Sequence, residues 1–250
     1  MRKILLLALV AAASIESNAQ SNRFEAGIAA MNRGRFAVAY RSWLPLAEAG
    51  MPEAQLNLGL LYQNGQGVDT DLEKALHWFE EAASSGLGEA HFNLGMLYFE
   101  GSGVDQDYTI SMREFQSAST QGLARGSLMM GKMLYEGLGV EQDKFVATEL
   151  FLDAAKSGLA EAQFAYAVAA QTGDGVKAPD RLFFLPKETD LGDPFVAYVW
   201  GTLAFLNGFR TEESTQLIRV AKIMAGGRIN EGESIIYRCI DSEYEECPTI

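Results

Sequence analysis

The sequence predicts an all-α solenoid, a row of stacked helical pairs, and three observations predict it. Gly50, Gly86, Gly122 and Gly158 recur every 36 residues, and Gly65, Gly101, Gly137 and Gly173 do the same. Leu58-Gly59-Leu60-Leu61-Tyr62 aligns without a gap on Leu94-Gly95-Met96-Leu97-Tyr98 and on Met130-Gly131-Lys132-Met133-Leu134. Within a unit, Ala54, Leu58, Leu61 and Tyr62 fall on one helical face, as do Ala90, Leu94, Leu97 and Tyr98. A period of this size signals units that shelter their apolar faces only against neighbouring units.

The first helix of each unit, helix A, carries Gly59, Gly95 or Gly131 in its interior. Glycine there costs about 1 kcal/mol against alanine, so its recurrence implies a neighbouring helix that crosses too closely for a side chain. Helix A ends at Gly-x-Gly-Val, whose first glycine suits a left-handed cap. Asp71, Asp107 and Asp143 then stand as N-caps of helix B. Helix B buries Ala75, Phe79, Ala82 and Ala83 in one unit and Ala147, Phe151, Ala154 and Ala155 in another, with Lys74, His77, Glu80 and Glu81 on a solvated side.

These residues, LG-x-L-Y-x-x-G-x-G-V followed by D-x-x-K-A-x-x-W-F-x-x-A-A-x-x-G, resemble the Sel1-like repeat family, a relative of the tetratricopeptide repeats. The resemblance runs from about Phe24 to about Cys239. It implies a right-handed α/α superhelical solenoid of helix-turn-helix repeats that serves as an adaptor for other proteins, commonly in bacterial envelopes, with catalysis rare. Ser111 and Ala167 depart from the pattern and imply looser packing at their positions.

Residues 1–19 read as a secretory signal, with Arg2 and Lys3 before an apolar run and Ser17-Asn18-Ala19 as the cleavage site ahead of Gln20. The run is too short to span a bilayer, so the mature chain is expected to be periplasmic or secreted, without a membrane span. Residues 20–49 form an opening capping pair, with Trp43 where Phe79 later stands and Pro45 expected to kink the second helix. Repeats follow over 50–210, about four of them. Asp193-Pro194-Phe195-Val196-Ala197 matches the start of helix B only after a 14-residue insertion within 177–192, whose Phe183 and Phe184 either plug the array or meet a partner. Residues 211–250 supply capping helices: Thr211 caps a helix with Leu217, Ile218, Ala221 and Met224 inward, Asn230 and Glu233 restart the next, and Asp241 onward frays.

The formal charge is -13, and removing Arg2, Lys3 and Glu16 makes it one unit more negative. Such a surface repels nucleic acid and anionic lipid and steers in basic partners, or simply keeps the protein soluble. Cys239 and Cys247 are the only cysteines; in an oxidising compartment they form a disulfide that pins the tail. Relatives rich in disulfides carry paired cysteines within each repeat, and this chain has none there. His77 and His91 have neither a nucleophile elbow nor metal spacing around them. No catalytic set, metal site or cofactor is expected.

By resemblance to tetratricopeptide arrays, the helix-A face opposite the core lines the concave groove. The candidate binding residues there are Leu60, Gln63, Asn64, Met96, Phe99, Glu100, Lys132, Tyr135 and Glu136, with the aromatic rings as anchors and the charges setting register. The expected partner is a protein or peptide. Two other classes stay open: a cell-envelope enzyme or peptidoglycan-associated module of the β-lactamase-like kind, and a secreted host-interaction factor.

Overall fold

The computed structural model describes residues 2–174, 192–245 and 247–249, with side chains from Ser17 onward. Among these residues the elements are all helical: α1 (Arg2–Met31), α2 (Phe36–Glu48), α3 (Pro52–Asn64), α4 (Leu72–Ser84), α5 (Gly88–Glu100), α6 (Tyr108–Thr120), α7 (Ala124–Glu136), α8 (Lys144–Lys156), α9 (Ala160–Thr172), α10 (Pro194–Leu206), α11 (Glu212–Ala225) and α12 (Ile229–Asp241). A single 3-10 turn, Gly226–Arg228, links the last two. The insertion, with Phe183 and Phe184, lies outside the described residues. The backbone of residues 2–31 is one helix, so cleavage after Ala19 would leave Gln20–Met31 as the first helix of a mature chain.

The chain divides into two compact units, Met1–Asp107 and Tyr108–Ile250. In the first, α1 to α5 pack each on the next; in the second, α6 to α10 do so, with α11 and α12 both against α10. Odd-numbered helices from α3 to α9 are the A helices and their even-numbered successors the B helices.

Two features of the repeated sequence set this packing. The first is the interior glycine of helix A. A Cβ on Gly131 would lie 2.6 Å from Cε1 of Phe151, and one on Gly59 or Gly27 would overlap the rings of Phe79 or Trp43. The small residue therefore lets helix B press a whole aromatic ring onto the backbone of helix A. Phe79 and Trp43 are fully buried and Phe151 nearly so, each such burial contributing about 1.5–3 kcal/mol. The second feature is the loop. Gly65, Gly101, Gly137 and Gly173 all cap helix A in the left-handed region, at φ of 64°, 71°, 75° and 76°. In the first three of these loops the next glycine also has positive φ and serves a different contact: a Cβ on Gly67, Gly103 or Gly139 would strike Phe36, Leu72 or Tyr108, the first residue of the B helix one unit back. The Gly-x-Gly pair thus stops one helix and seats the loop on the preceding pair.

Asp71, Asp143 and Asp193 cap their helices as expected, accepting from the backbone N–H of Lys74, of Val146, and of both Phe195 and Val196. Helix α2 runs unbroken through Pro45 to Glu48, so the proline falls in its last turn.

Three expectations are corrected. Ala167 does not loosen the fourth pair: it is fully buried, and the B-helix position that holds Phe79 and Phe151 elsewhere is here Gly201, so both facing residues are small and the methyl of Ala167 is accommodated. Met224 does not point inward; it is 50% exposed, with Ile223 at 74% and Val220 at 40% beside it. Nor does Asn230 restart a helix, because the 3-10 turn leads straight into α12 at Ile229 with no side-chain cap. Thr211 does cap α11, and its partner in a reciprocal capping box is Ser214.

The tail is also packed, where fraying was expected. Cys239 and Cys247 form a disulfide with Cα atoms 5.0 Å apart. Tyr244 stacks on Trp200 at 6.4 Å, the Trp200 indole N–H donates to the Pro248 carbonyl at 2.6 Å, and Asn207 donates to the Tyr244 hydroxyl at 2.7 Å.

Candidate functional site

Helix A puts its core stripe on one side and residues two, six and nine positions after Ala54 on the other. In the first unit, this outer row is Leu56, Leu60 and Gln63 on α3, then Phe92, Met96 and Phe99 on α5. Leu60, Gln63, Met96 and Phe99 are all half-buried, while Asn64 and Glu100 are exposed at the helix ends. Leu56 and Leu60 also pack on the apolar cluster around Phe79 and Leu94. The Phe99 carbonyl accepts from Gln106 Nε2 at 2.8 Å, and Ser102 donates to Glu100 Oε2 at 3.2 Å. Loop side chains therefore brace the end of helix A and fix where Phe99 stands.

In the second unit, the corresponding residues are Leu128, Lys132 and Tyr135 on α7 and Phe164, Val168 and Gln171 on α9. Leu128 belongs to the core, only 2% exposed. Tyr135 is less free than an anchor ring would be. Its hydroxyl donates to Asp174 Oδ2 at 2.5 Å, Thr172 donates to the same oxygen at 2.8 Å, and the Lys144 ammonium donates to Oδ1 at 2.9 Å while standing 4.9 Å over the Tyr135 ring. Burial alone would raise the Asp174 carboxyl, but the hydrogen bonds from Tyr135, Lys144 and Thr172 outweigh it and hold the group below its ordinary value. Burial first, and then the bond to Asp174, push the Tyr135 phenol up. The bond to Asp174 likewise raises Lys144. This cluster ties the ends of α7 and α9 to the start of α8 and fixes the tilt of the Tyr135 ring, which lies 6.0 Å from that of Phe151.

Beside it opens a depression of about 280 Å³, lined by Lys132, Tyr135, Phe151, Glu161, Phe164, Ala165, Val168 and Phe209. Phe164 and Phe209 stack at 4.8 Å and form one wall. Lys132 reaches across to Glu161 at 2.5 Å, while Glu136 stays exposed outside the depression. Thus Lys132 and Tyr135 come together with five residues not singled out from the sequence: Glu161, Phe164, Ala165, Val168 and Phe209. Phe164 and Val168 lie one period after Leu128 and Lys132, so the repeat register contained the signal for them. Phe209 follows Gly208 as Leu87, Leu123 and Leu159 follow Gly86, Gly122 and Gly158, and its N–H bonds the Ala204 carbonyl as that of Leu123 bonds Ala118, so the shifted register of the last B helix contained its signal.

Among the described residues, no three His, Cys, Asp or Glu side chains gather as a metal site, and no helix is long and apolar enough to cross a membrane. Paired 13-residue helices, a glycine-ring contact within pairs and a loop seated on the preceding pair define an α-solenoid of helix-turn-helix repeats. The Sel1 repeat profile matches residues 52–87, 88–123, 124–159 and 160–181, which is more than half of the chain. The protein belongs to the Sel1 repeat family.

Solved structures agree on the fold. A Sel1 repeat protein from Oxalobacter formigenes superposes with a TM-score of 0.67 at 22% identity, over 81% of this chain and 84% of that one. The protective antigen c5321 of uropathogenic Escherichia coli, which displays an SLR fold, gives a TM-score of 0.71 at 25% identity, over 92% of this chain and 46% of that one. The chitin synthase regulator SKT5 of Saccharomyces cerevisiae is 44% identical over 45 residues, 18% of this chain and 6% of that regulator. This chain therefore matches only a small part of that relative's length. Sel1 repeat proteins generally mediate protein–protein interactions and are typically non-catalytic scaffolds.

Proposed function

We propose that this chain is an exported scaffold that binds a protein or peptide along the outer face of its A helices and performs no chemistry of its own. The observation that carries the reading is the depression beside Lys132 and Tyr135. It is concave, walled by aromatic rings, and formed on the helix face that the repeat pattern turns away from the core. The acidic composition adds a preference for basic partners, because a formal charge of -13 accelerates encounter with cations and repels polyanions. The signal-like start, Arg2 and Lys3 before an apolar run and Ser17-Asn18-Ala19, supports delivery to the periplasm or medium.

Affinity capture from envelope extracts tests the binding face. Wild type is expected to retain a partner that Phe99→Ala/Tyr135→Ala loses, and identical partner sets would overturn the groove. Co-sedimentation with purified sacculi and hydrolysis of a chromogenic β-lactam are expected to be negative; activity in either would move the protein to an envelope-acting class. Fractionation with N-terminal sequencing tests export: a chain beginning at Gln20 outside the cytoplasm is expected, and an intact Met1 chain in the cytoplasm would overturn it.

A further inference from the structure

Helix-A positions 60, 96, 132 and 168 hold Leu60, Met96, Lys132 and Val168, so a single cation interrupts an apolar row. Lys132 is not turned out to solvent. Its ammonium reaches Glu161 in the first turn of α9, at the edge of the depression, and the two side chains are 36% and 47% exposed. An ion pair this open to water is weak and readily exchanged. Beneath it, Tyr135, Phe151, Phe164, Val168 and Phe209 offer an open apolar depression of about 280 Å³, room for one large side chain rather than a small-molecule cofactor.

We propose that the depression receives an apolar side chain of a protein partner whose neighbouring Lys or Arg binds Glu161, with Lys132 standing in for that cation when the partner is absent. This rests on the helix-A face being the binding surface and adds the chemistry of what it binds. Charge complementarity selects a cation. Glu161 lines the depression on a chain whose formal charge is -13, and the two lysines nearby are already committed, Lys132 to Glu161 and Lys144 to Asp174. An acidic segment would meet carboxylates with no free countercharge. A basic residue frees Lys132 to swing into water and leaves Glu161 paired throughout. Meanwhile the stacked Phe164 and Phe209 provide a wall that needs no rearrangement before binding.

Panning displayed random dodecapeptides on the full chain, followed by fluorescence anisotropy on the selected peptides, tests the proposal. The peptides are expected to share an apolar residue within two positions of Lys or Arg. Phe164→Ala is expected to weaken them about tenfold or more. Glu161→Gln is expected to weaken them about two- to fivefold, an effect erased in about 0.5 M salt. Lys132→Leu, which restores the apolar row and removes the competing cation, is expected to tighten them by a similar factor. If peptides weakened by Phe164→Ala ignore both Glu161→Gln and Lys132→Leu, or if acidic or uncharged peptides dominate, the cation pairing is overturned while the groove stands. If no peptide is selected, or if Phe164→Ala and Phe209→Ala have no effect, both readings fail. Circular dichroism and Tm accompany every variant, and Phe164→Leu with Phe209→Leu, which keep bulk and lose the ring stack, replace any alanine variant that unfolds.

Discussion

Ala167 faces Gly201 across the fourth helical pair, where Gly131 faces Phe151 in the third. A Cβ placed on Gly201 would lie 3.8 Å from that of Ala167 and 2.7 Å from Leu217 Cδ2. Ile218 Cγ1 lies 3.4 Å from the same point, so Leu217 and Ile218 of α11 reach into the place that the missing ring leaves. The close approach of the two helices is kept with a small residue on each, and side chains from the next helix take the place of the ring.

Gly131→Ala is expected to destabilise the protein by about 1–3 kcal/mol, because Phe151 Cε1 at 2.6 Å and the Ala147 carbonyl at 3.2 Å leave no room for a methyl group. Denaturant midpoints would show it. In a double-mutant cycle, Phe151→Leu should recover part of the loss, since a smaller side chain withdraws from the new methyl; strict additivity would refute the glycine-ring account.

Asp174→Asn is expected to cost about 1–2 kcal/mol near neutrality, from weakened hydrogen bonds to Tyr135, Lys144 and Thr172. The folded carboxyl lies below its ordinary value of 3.8. Its contribution is therefore complete above that value and is lost as pH falls through the lower folded one. The Tyr135 phenol lies above its ordinary 10.0, so its contribution holds up to that pH and fades as pH climbs through the raised value. Urea midpoints of wild type and variant should converge in acid and at high pH.

Cys247→Ser is expected to free the tail from Trp200 and lower stability by about 2–3 kcal/mol, the loop-closure value for a bridge between residues eight apart. The indole N–H then loses the Pro248 carbonyl. Trp200 emission should shift to the red in the variant and, for wild type, only when a reductant is present.

Asp143→Ala removes the acceptor for the Val146 N–H and should cost about 1 kcal/mol. Hydrogen exchange is the sharper measurement, because the faster amides should be confined to the first turn of α8.

Much of the fold was legible because one local pattern is repeated. Glycine caps, aspartate N-caps and the Phe79 and Phe151 rings each recur at a fixed offset, so each unit confirmed the reading of the others. Legibility failed where the repeat is interrupted. The insertion before Asp193 hid Gly201 as the partner of Ala167, and an isolated alanine then resembled a defect. The tail looked polar and loose because its acidic residues outnumber the three that pack, Tyr244, Cys247 and Pro248, and the surface they pack on lies some 40 residues earlier. At the candidate site, Lys132 and Tyr135 were visible through their repeat positions. Asp174 occupies the variable place in Gly-x-Gly, where Gln66, Ser102 and Leu138 stand elsewhere, so its role as an acceptor for three donors exists only in the folded chain.

Gly67, Gly103 and Gly139 each reach back to the preceding pair, and this gives the chain a grammar for changing length. Excising residues 88–123 would bring Gly139 to the place of Gly103, opposite Leu72 instead of Tyr108, and the joint would meet a residue of comparable reach. Copying a 36-residue block is equally quiet, since a newcomer seats its own loop glycine on the block before it and offers the first residue of its own B helix to the block after. Growth and shrinkage by whole blocks is thus the mutational path of least resistance, while an insertion of any other size breaks the register and obliges the following contact to be composed afresh.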